Sequence, residues 1–328
     1  MNRRRIRPVP NIAMILICIA MLFPVFATVV ISFKQQSDVS RKPPLLFPCD
    51  TPESDFSPAA CRFFLEGYDR IFAFKESASA LFGQEATGPI ITKFMPNSLI
   101  YAATSSLLIT IFSGMAGFSF SRFVFRGRQV LQVGILALMG IPLLTNLIAL
   151  YQMTVSIRRV LVPLVERLAA AQQFTEGTTK LLTDSLDRAI LIAVYTGLLM
   201  PFSIWIVKSF FDAIPRDLEE AALIDGCTPF GALVRVVAPL AAPGLLASFL
   251  LSFVNIWNEF ITNYLLVGTS KQDLRSVMVA VFDLTGANLI NYQVLAAACV
   301  LVMLPVIVLF LAARRVFFSA MVEGAVKG

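Results

Sequence analysis

The run Asp217-Leu218-Glu219-Glu220-Ala221-Ala222-Leu223-Ile224-Asp225-Gly226, continuing through Thr228-Pro229 to Val236 and Pro239, decides how the chain is read. It is polar and rich in small residues, and it lies between long apolar stretches. Asp217 with Glu220 three residues later reads as an N-cap and its reciprocal partner. Gly226 stands where a helix C-terminus takes a left-handed residue. Thr228-Pro229 reads as a second N-cap followed by proline at the first helical position. The pattern predicts two short helices meeting at an elbow, each too short to be stable alone in water. Such a unit needs something to pack against, and the Ala221-Ala222 pair offers a small, flat face to a partner's groove. A solvated connector between membrane helices is the plainer reading of the same residues.

The surroundings of this elbow are apolar. The 328 residues are 57% hydrophobic and 15% charged, with a mean hydropathy of +0.77. That balance excludes a soluble globular domain and leaves an all-α polytopic membrane protein. The length suffices for about six spans of ~20 residues plus loops. There is no histidine, so the commonest general base and metal ligand is missing. The five cysteines form no CxxC pair and no metal spacing. No GxxxxGK[ST] phosphate cradle is present, and no Ser/His/Asp or Cys/His set can be assembled, which argues against an enzyme. The net charge of +6 finds its place in the loops, and no nucleic-acid partner is needed to explain it.

In chain order, residues 1–11 form a basic amino terminus with Arg3, Arg4, Arg5 and Arg7. The apolar stretch 12–33 is longer than a signal-peptide core and reads as an uncleaved first span with its amino terminus in the cytoplasm. Residues 34–96 form a long, proline-containing external loop. Cys49 and Cys61 lie in it; an oxidising compartment would join them, and two free thiols are the alternative. A loop of this length points to contact with a soluble partner outside. The second span, 97–120, carries Ser105, Ser106, Ser113, Gly114, Gly117 and Ser119, a complement suited to close helix packing in lipid. Arg122, Arg126 and Arg128 follow in a short basic turn. The third span, 130–151, should kink at Pro142. Residues 152–187 read as an amphipathic segment at the outer interface. A fourth span, 189–207, precedes the cytoplasmic loop 208–240 that holds the elbow. Spans 243–267 and 289–311 and a cytoplasmic tail, 312–328, complete the chain. The short loops assigned to the inner side are all basic, which fixes the expected orientation.

One ionisable side chain falls well inside a span: Glu259, with Asn255 on the same helix face and Asn258 beside it. A charge at that depth usually faces a cavity or a partner, so these three residues are candidates for a substrate pathway. Glu259 near the outer interface, merely anchoring its helix, is the alternative.

The run from Ile214 to Gly226, followed by Val236-Val237-Ala238-Pro239, resembles the EAA loop of ABC importer permeases. Val236 stands for the family's Ile, and Ala238 departs from its Leu. Asn97-Ser98-Leu99, Phe118-Ser119-Phe120-Ser121-Arg122 with Arg126-Gly127-Arg128, Pro201-Phe202-Ser203-Ile204-Trp205, Trp257-Asn258-Glu259-Phe260 and the terminal Gly324-Ala325-Val326-Lys327-Gly328 are similar to the carbohydrate branch, the MalG-like maltose-permease group. The resemblance implies a type I importer permease (MetI-like) fold of six transmembrane helices with a cytoplasmic coupling helix. It implies a bacterial inner-membrane permease subunit for a carbohydrate: an oligosaccharide, a disaccharide, or a related polyol or sugar phosphate. It further implies a second permease subunit, two cytoplasmic ABC ATPase subunits and an external solute-binding protein. This chain itself would hold no cofactor, since ATP and Mg belong to the ATPase. Asp217, Glu219, Glu220, Ala221, Ala222, Asp225, Gly226 and Pro239 would form the coupling site, and the tail would reach the ATPase interface. The long first loop and the 152–187 segment depart from the family pattern. A permease for a non-sugar solute is the nearest alternative. An ion-coupled secondary transporter would show intramembrane charges and inverted repeats, whereas only Glu259 lies deep and no repeat is visible.

Overall fold

Long apolar segments in lipid satisfy their backbone only by forming helices or closed barrels, and every regular element among the described residues is helical. The structure, a computed structural model, describes residues 8–40, 63–72, 90–268, 271–285 and 290–326. Cys49 and Cys61 lie outside the described residues. The main elements are α1 (Pro8–Ser32), α2 (Met95–Arg122), α3 (Arg128–Leu138), α4 (Leu143–Ala171), α5 (Glu176–Asp212), the short α6 (Asp217–Ile224) and α7 (Pro229–Ala232), α8 (Ala242–Trp257) and α9 (Tyr292–Val326). Five of them, α1, α2, α4, α5 and α9, are long and apolar enough to cross a membrane. A sixth crossing is available if Pro229–Leu240 and Ala242–Trp257, bent by 76°, are taken as one span.

The chain divides into two units. The first comprises residues 1–93 and 280–304. In it the end of α1, the helix Glu66–Phe72 and the beginning of α9 are tied together by polar side chains. The Ser32 and Tyr68 hydroxyls lie 2.8 Å apart. The Gln36 amide donates to the Ile290 carbonyl and accepts from the Tyr292 N–H. Gln293, buried, donates to the Phe64 carbonyl.

The second unit comprises residues 94–279 and 305–328, and its centre is the packing of α2 along α5 and α8. Small residues set the separation. A Cβ added to Gly117 would lie 3.1 Å from the Lys208 backbone nitrogen, and one added to Gly244 would lie 2.3 Å from Cγ of Phe210. Ser105, Ser106 and Ser113 are fully buried, and the Ser203 and Ser252 hydroxyls meet at 3.2 Å.

Three expectations change. The third span is not a kinked 130–151 helix: it is cut at Met139–Pro142 into α3 and α4. Pro142 has no N–H to continue α3 and disfavours helical geometry at Ile141. In place of an interfacial helix over 152–187, α4 runs on to Ala171 and turns through 172–175, where Gln173 takes φ +53°. Thr175 then caps α5, its hydroxyl accepting from the Thr178 N–H. The 37 residues of α5 span about 55 Å, far more than a ~30 Å hydrocarbon core. The α4–α5 hairpin therefore extends past the apolar layer. The fifth span, expected over 243–267, ends as a regular helix at Trp257, and a wide π-helical turn, Tyr264–Gly268, follows after a break.

Ion pairs fasten this hairpin to the connector at 271–277. Lys271 Nζ lies 2.7 Å from Asp184 and 2.8 Å from Asp187, and Arg158 Nε lies 3.1 Å from Asp187. The Asp187 side chain is 2% exposed, so its charge is tolerable only with both cations in place. The connector is held to α2 as well. Asn97 donates to the Asp273 and Arg275 carbonyls, the Tyr101 hydroxyl donates to the Leu274 carbonyl, and the Ser98 hydroxyl accepts from the Val277 N–H.

Replacing Lys271 by Met strips one of two cations from buried Asp187 and should cost about 3 kcal/mol. The exposed Lys180–Asp273 pair should cost less than about 1 kcal/mol when Lys180 is replaced. Chemical denaturation of the two variants in detergent checks the ranking. Burial alone would depress the Lys271 ammonium, but hydrogen bonds from it to Asp184 and Asp187, and their charges, outweigh burial and hold its pKa above the ordinary 10.5. A folded pKa above the unfolded one contributes stability that is complete below the unfolded value and is lost as pH rises through the folded value. The wild type should therefore lose stability more steeply than Lys271→Met above pH 10.5.

Candidate functional site

The elbow is built from local rules and then clasped to the helices. α6 begins one residue earlier than expected: Arg216, not Asp217, holds the N-cap position, without a side-chain bond, and Asp217 is the first helical residue. The acids at Asp217, Glu219 and Glu220 still occupy the first turn, where the helix dipole favours them. At the other end the Cys227 N–H reaches the Ala222 carbonyl at 3.0 Å and the Gly226 N–H reaches that of Leu223 at 3.1 Å. This is a Schellman termination, and it requires the left-handed residue that Gly226 supplies at φ +87°. Thr228 then caps α7, its hydroxyl accepting from the Gly231 N–H at 3.1 Å, with Pro229 next. A π-helical turn, Leu233–Val237, and the short helix Ala238–Leu240 with exposed Pro239 lead to the 76° bend before α8.

Two arginines outside the expected coupling residues hold this elbow. Arg122, the last residue of α2, places Nε 2.9 Å from Glu219 Oε2 and donates to the Ile214 carbonyl. Arg216 donates back to the Ser121 carbonyl. The Arg122 and Glu219 side chains are 6% and 15% exposed. Beneath them Phe118, Val207, Phe211, Val237 and Ala241 form one buried cluster, with Ile214, Leu233 and Leu245 against it. The Phe118 and Phe211 rings meet edge to face at 5.7 Å.

This clasp divides the expected coupling residues. Glu219 and Ala222, three apart on one face, turn toward the helices, and Ala222 is buried. Asp217, Glu220, Ala221 and Asp225 remain exposed. The alanine pair therefore does not form one outward face. Around the exposed residues stand Leu218, Leu223 and Ile224, the last 87% exposed.

The three expected pathway residues also separate. Asn255 and Asn258 are exposed, and each amide donates back to its own helix, to the Leu251 and Val254 carbonyls. Glu259 is half-buried and turned inward. It accepts from the Tyr195 hydroxyl at 2.9 Å and from the Thr262 and Asn263 N–H groups, so it caps the segment that follows α8. Asn263, fully buried, accepts in turn from the Ser276 N–H. Nothing in the sequence pointed to Tyr195, since a lone tyrosine in an apolar run carries no positional signal. Among the described residues no group of three metal-ligating side chains is assembled.

Residues 106–322 match the family described as the binding-protein-dependent transport system inner membrane component. The chain belongs to this family. It is a multi-pass inner-membrane permease component of a transport system that works with a binding protein, in agreement with the resemblance carried by the elbow. It is 33% identical over 235 residues to the sulfoquinovosyl glycerol transport system permease protein SmoH of Agrobacterium fabrum, covering 72% of this chain and 73% of that one. It is 29% identical over 246 residues to the arabinooligosaccharides transport system permease protein AraQ of Bacillus subtilis, covering 74% and 75%. Among solved structures, a bacterial ABC transporter involved in import of the acidic polysaccharide alginate has the same fold, with a TM-score of 0.66 at 18% identity, covering 97% of this chain and 99% of that one.

Removing either member of the Arg122–Glu219 pair should cost about 2–3 kcal/mol, because the remaining charge is left shielded and unpaired. Glu220→Ala, on the exposed side of α6, should stay within about 0.5 kcal/mol. A double-mutant cycle on Arg122 and Glu219, read by denaturation in detergent, should return a coupling term; additive losses would show that the two side chains do not act together.

Proposed function

We propose that this chain is the permease subunit of an ATP-driven importer for a carbohydrate, and that α6 is the element through which a separate ATPase drives it. The observation that carries this reading is the division of α6. One face is clasped to α2 by Arg122, and the other offers Asp217, Glu220, Ala221 and Asp225 beside exposed Leu218, Leu223 and Ile224. An apolar patch of that kind on a polar loop fits a protein groove. In the proposed assembly two ATPase subunits bind ATP and Mg, a second permease completes the membrane domain, and an external solute-binding protein delivers the solute. The basic turn at Arg122, Arg126 and Arg128 supports a cytoplasmic side for the elbow and both termini. The tail, helical through Val326, adds to the ATPase contact.

Closure of the ATPase dimer would carry α6 with it. The clasp and the aromatic cluster beneath would pass that displacement to α2, α5 and α8 as one body, changing which end of the pathway is open. A carbohydrate substrate is supported by the arabinooligosaccharide and sulfoquinovosyl glycerol systems of the relatives. Exposed Asn255 and Asn258 supply amides able to exchange hydrogen bonds with sugar hydroxyls or water, while Glu259 serves to shape the helix break.

Reconstitution with the cognate ATPase, second permease and binding protein should give carbohydrate uptake that requires ATP. Gly226→Asp forces a side chain into left-handed geometry at a cost on the order of 1 kcal/mol or more; the protein should insert yet lose at least about tenfold in uptake per ATP hydrolysed, a barrier change of roughly 1.4 kcal/mol. Full coupling in that variant would remove α6 from the drive. In a cysteine-free background, cysteines at 255 and 258 should react with polar thiol reagents during turnover and one at 259 should react far more slowly. Equal protection at all three would remove the pathway assignment.

A further inference from the structure

The corner where α2 turns into α3 encloses a groove that the transport reading leaves unused. Its volume is about 500 Å³, and Val124, Phe125, Arg128, Gln129, Val130 and Gln132 line it. Two of its donors stand unmatched. Arg128 Nε and Gln132 Nε2 are sealed from solvent and have no hydrogen-bond partner among the described residues. Both are donors, and no carboxylate lines the groove. The nearby acid Asp212, which feels the Arg128 charge, is already engaged by Lys208. A guanidinium with an unmatched donor beside an unmatched amide donor forms a receptor for an anion with several acceptor oxygens, and phosphate suits that pairing.

The apolar remainder says where such an anion would come from. Val124 and Val130 at the rim are 86% and 76% exposed, and α3 carries Leu131, Val133, Leu136 and Leu138 exposed along its length. Water would leave that surface unfavourable, whereas acyl chains cover it at no cost. Arg126 adds a second positive charge at the same corner, in the position where basic residues meet anionic headgroups at the cytoplasmic face.

We propose that this groove holds the phosphate headgroup of an anionic phospholipid, with its acyl chains lying along α3. The guanidinium of Arg128 and the amide of Gln132 bind the phosphodiester oxygens. A zwitterionic lipid is disfavoured because its cationic group would meet Arg126 and Arg128. The site does not depend on the solute carried; only its leaflet rests on the proposed orientation. A chain that holds lipid here but moves no carbohydrate would sink the transport reading and leave this one standing.

The test is native mass spectrometry of the full chain in its purified complex, titrated with phosphatidylglycerol, phosphatidylcholine or inorganic phosphate. The wild type should bind phosphatidylglycerol about tenfold or more tightly than Arg128→Ala with Gln132→Leu. Arg128→Lys should fall between, keeping the charge without the paired donors, and Lys180→Ala, at the far end of α5, should match the wild type. Variants are compared after confirming equal thermal unfolding; if the double variant does not fold, the Arg128→Lys loss is the deciding measurement. Equal binding of phosphatidylcholine, or an unchanged Arg128→Lys, overturns the proposal. Displacement of phosphatidylglycerol by millimolar inorganic phosphate overturns it in favour of a free-anion site. A photo-crosslinker at Gln129 should capture lipid; capture of a protein subunit in its place overturns it as well.

Discussion

In a bilayer, helices gain little by hiding apolar side chains from acyl chains that are equally apolar, so they associate through close backbone approach and shared polar contacts. The second unit depends on that constraint. Gly117 admits the backbone of α5 against α2, Gly244 admits the Phe210 ring against α8, and buried serines line the remaining contact. A larger side chain at either glycine would separate the helices that the flanking structures are hung from.

Those flanking structures attach to opposite ends of one helix. At one end of α2, Asn97, Ser98 and Tyr101 bind the backbone of the 271–277 connector. At the other, Ser121 and Arg122 bind the elbow. α2 is 28 residues long, about 42 Å, and its two ends are joined by continuous helical hydrogen bonding. A displacement of the elbow in the proposed cycle therefore has a stiff path to the connector. The charges at the two ends are arranged differently. Arg122 and Glu219 form a single shielded pair that joins the end of α2 to α6, whereas Asp187, nearly sealed, is matched by two cations, Lys271 and Arg158.

The elbow was the most legible part of the chain because its signals are local. A left-handed glycine after eight helical residues and a Thr-Pro cap obey backbone sterics that operate within a few residues. The same locality explains what was misread. Asp217 carries an N-cap side chain, yet Arg216 takes the cap position because its clasp to Ser121 fixes the chain there. Pro142 announced a kink, but the hairpin beyond it arose from pairing between α4 and α5, sealed by Arg158 and Asp187 from separate segments.

Composition and hydropathy alone determined that this is a helical membrane protein, since transfer of apolar side chains and satisfaction of backbone groups in lipid depend on sequence in windows of about 20 residues. Capping residues alone determined where the elbow turns. Tertiary structure decided which side of the elbow faces outward, placing Glu219 and Ala222 inside and Glu220 and Ala221 outside. It also turned Glu259 away from Asn255 and Asn258 and toward Tyr195. Both outcomes depend on partners 64 and more residues away, and no short-range pattern encodes which distant donor a carboxylate will meet.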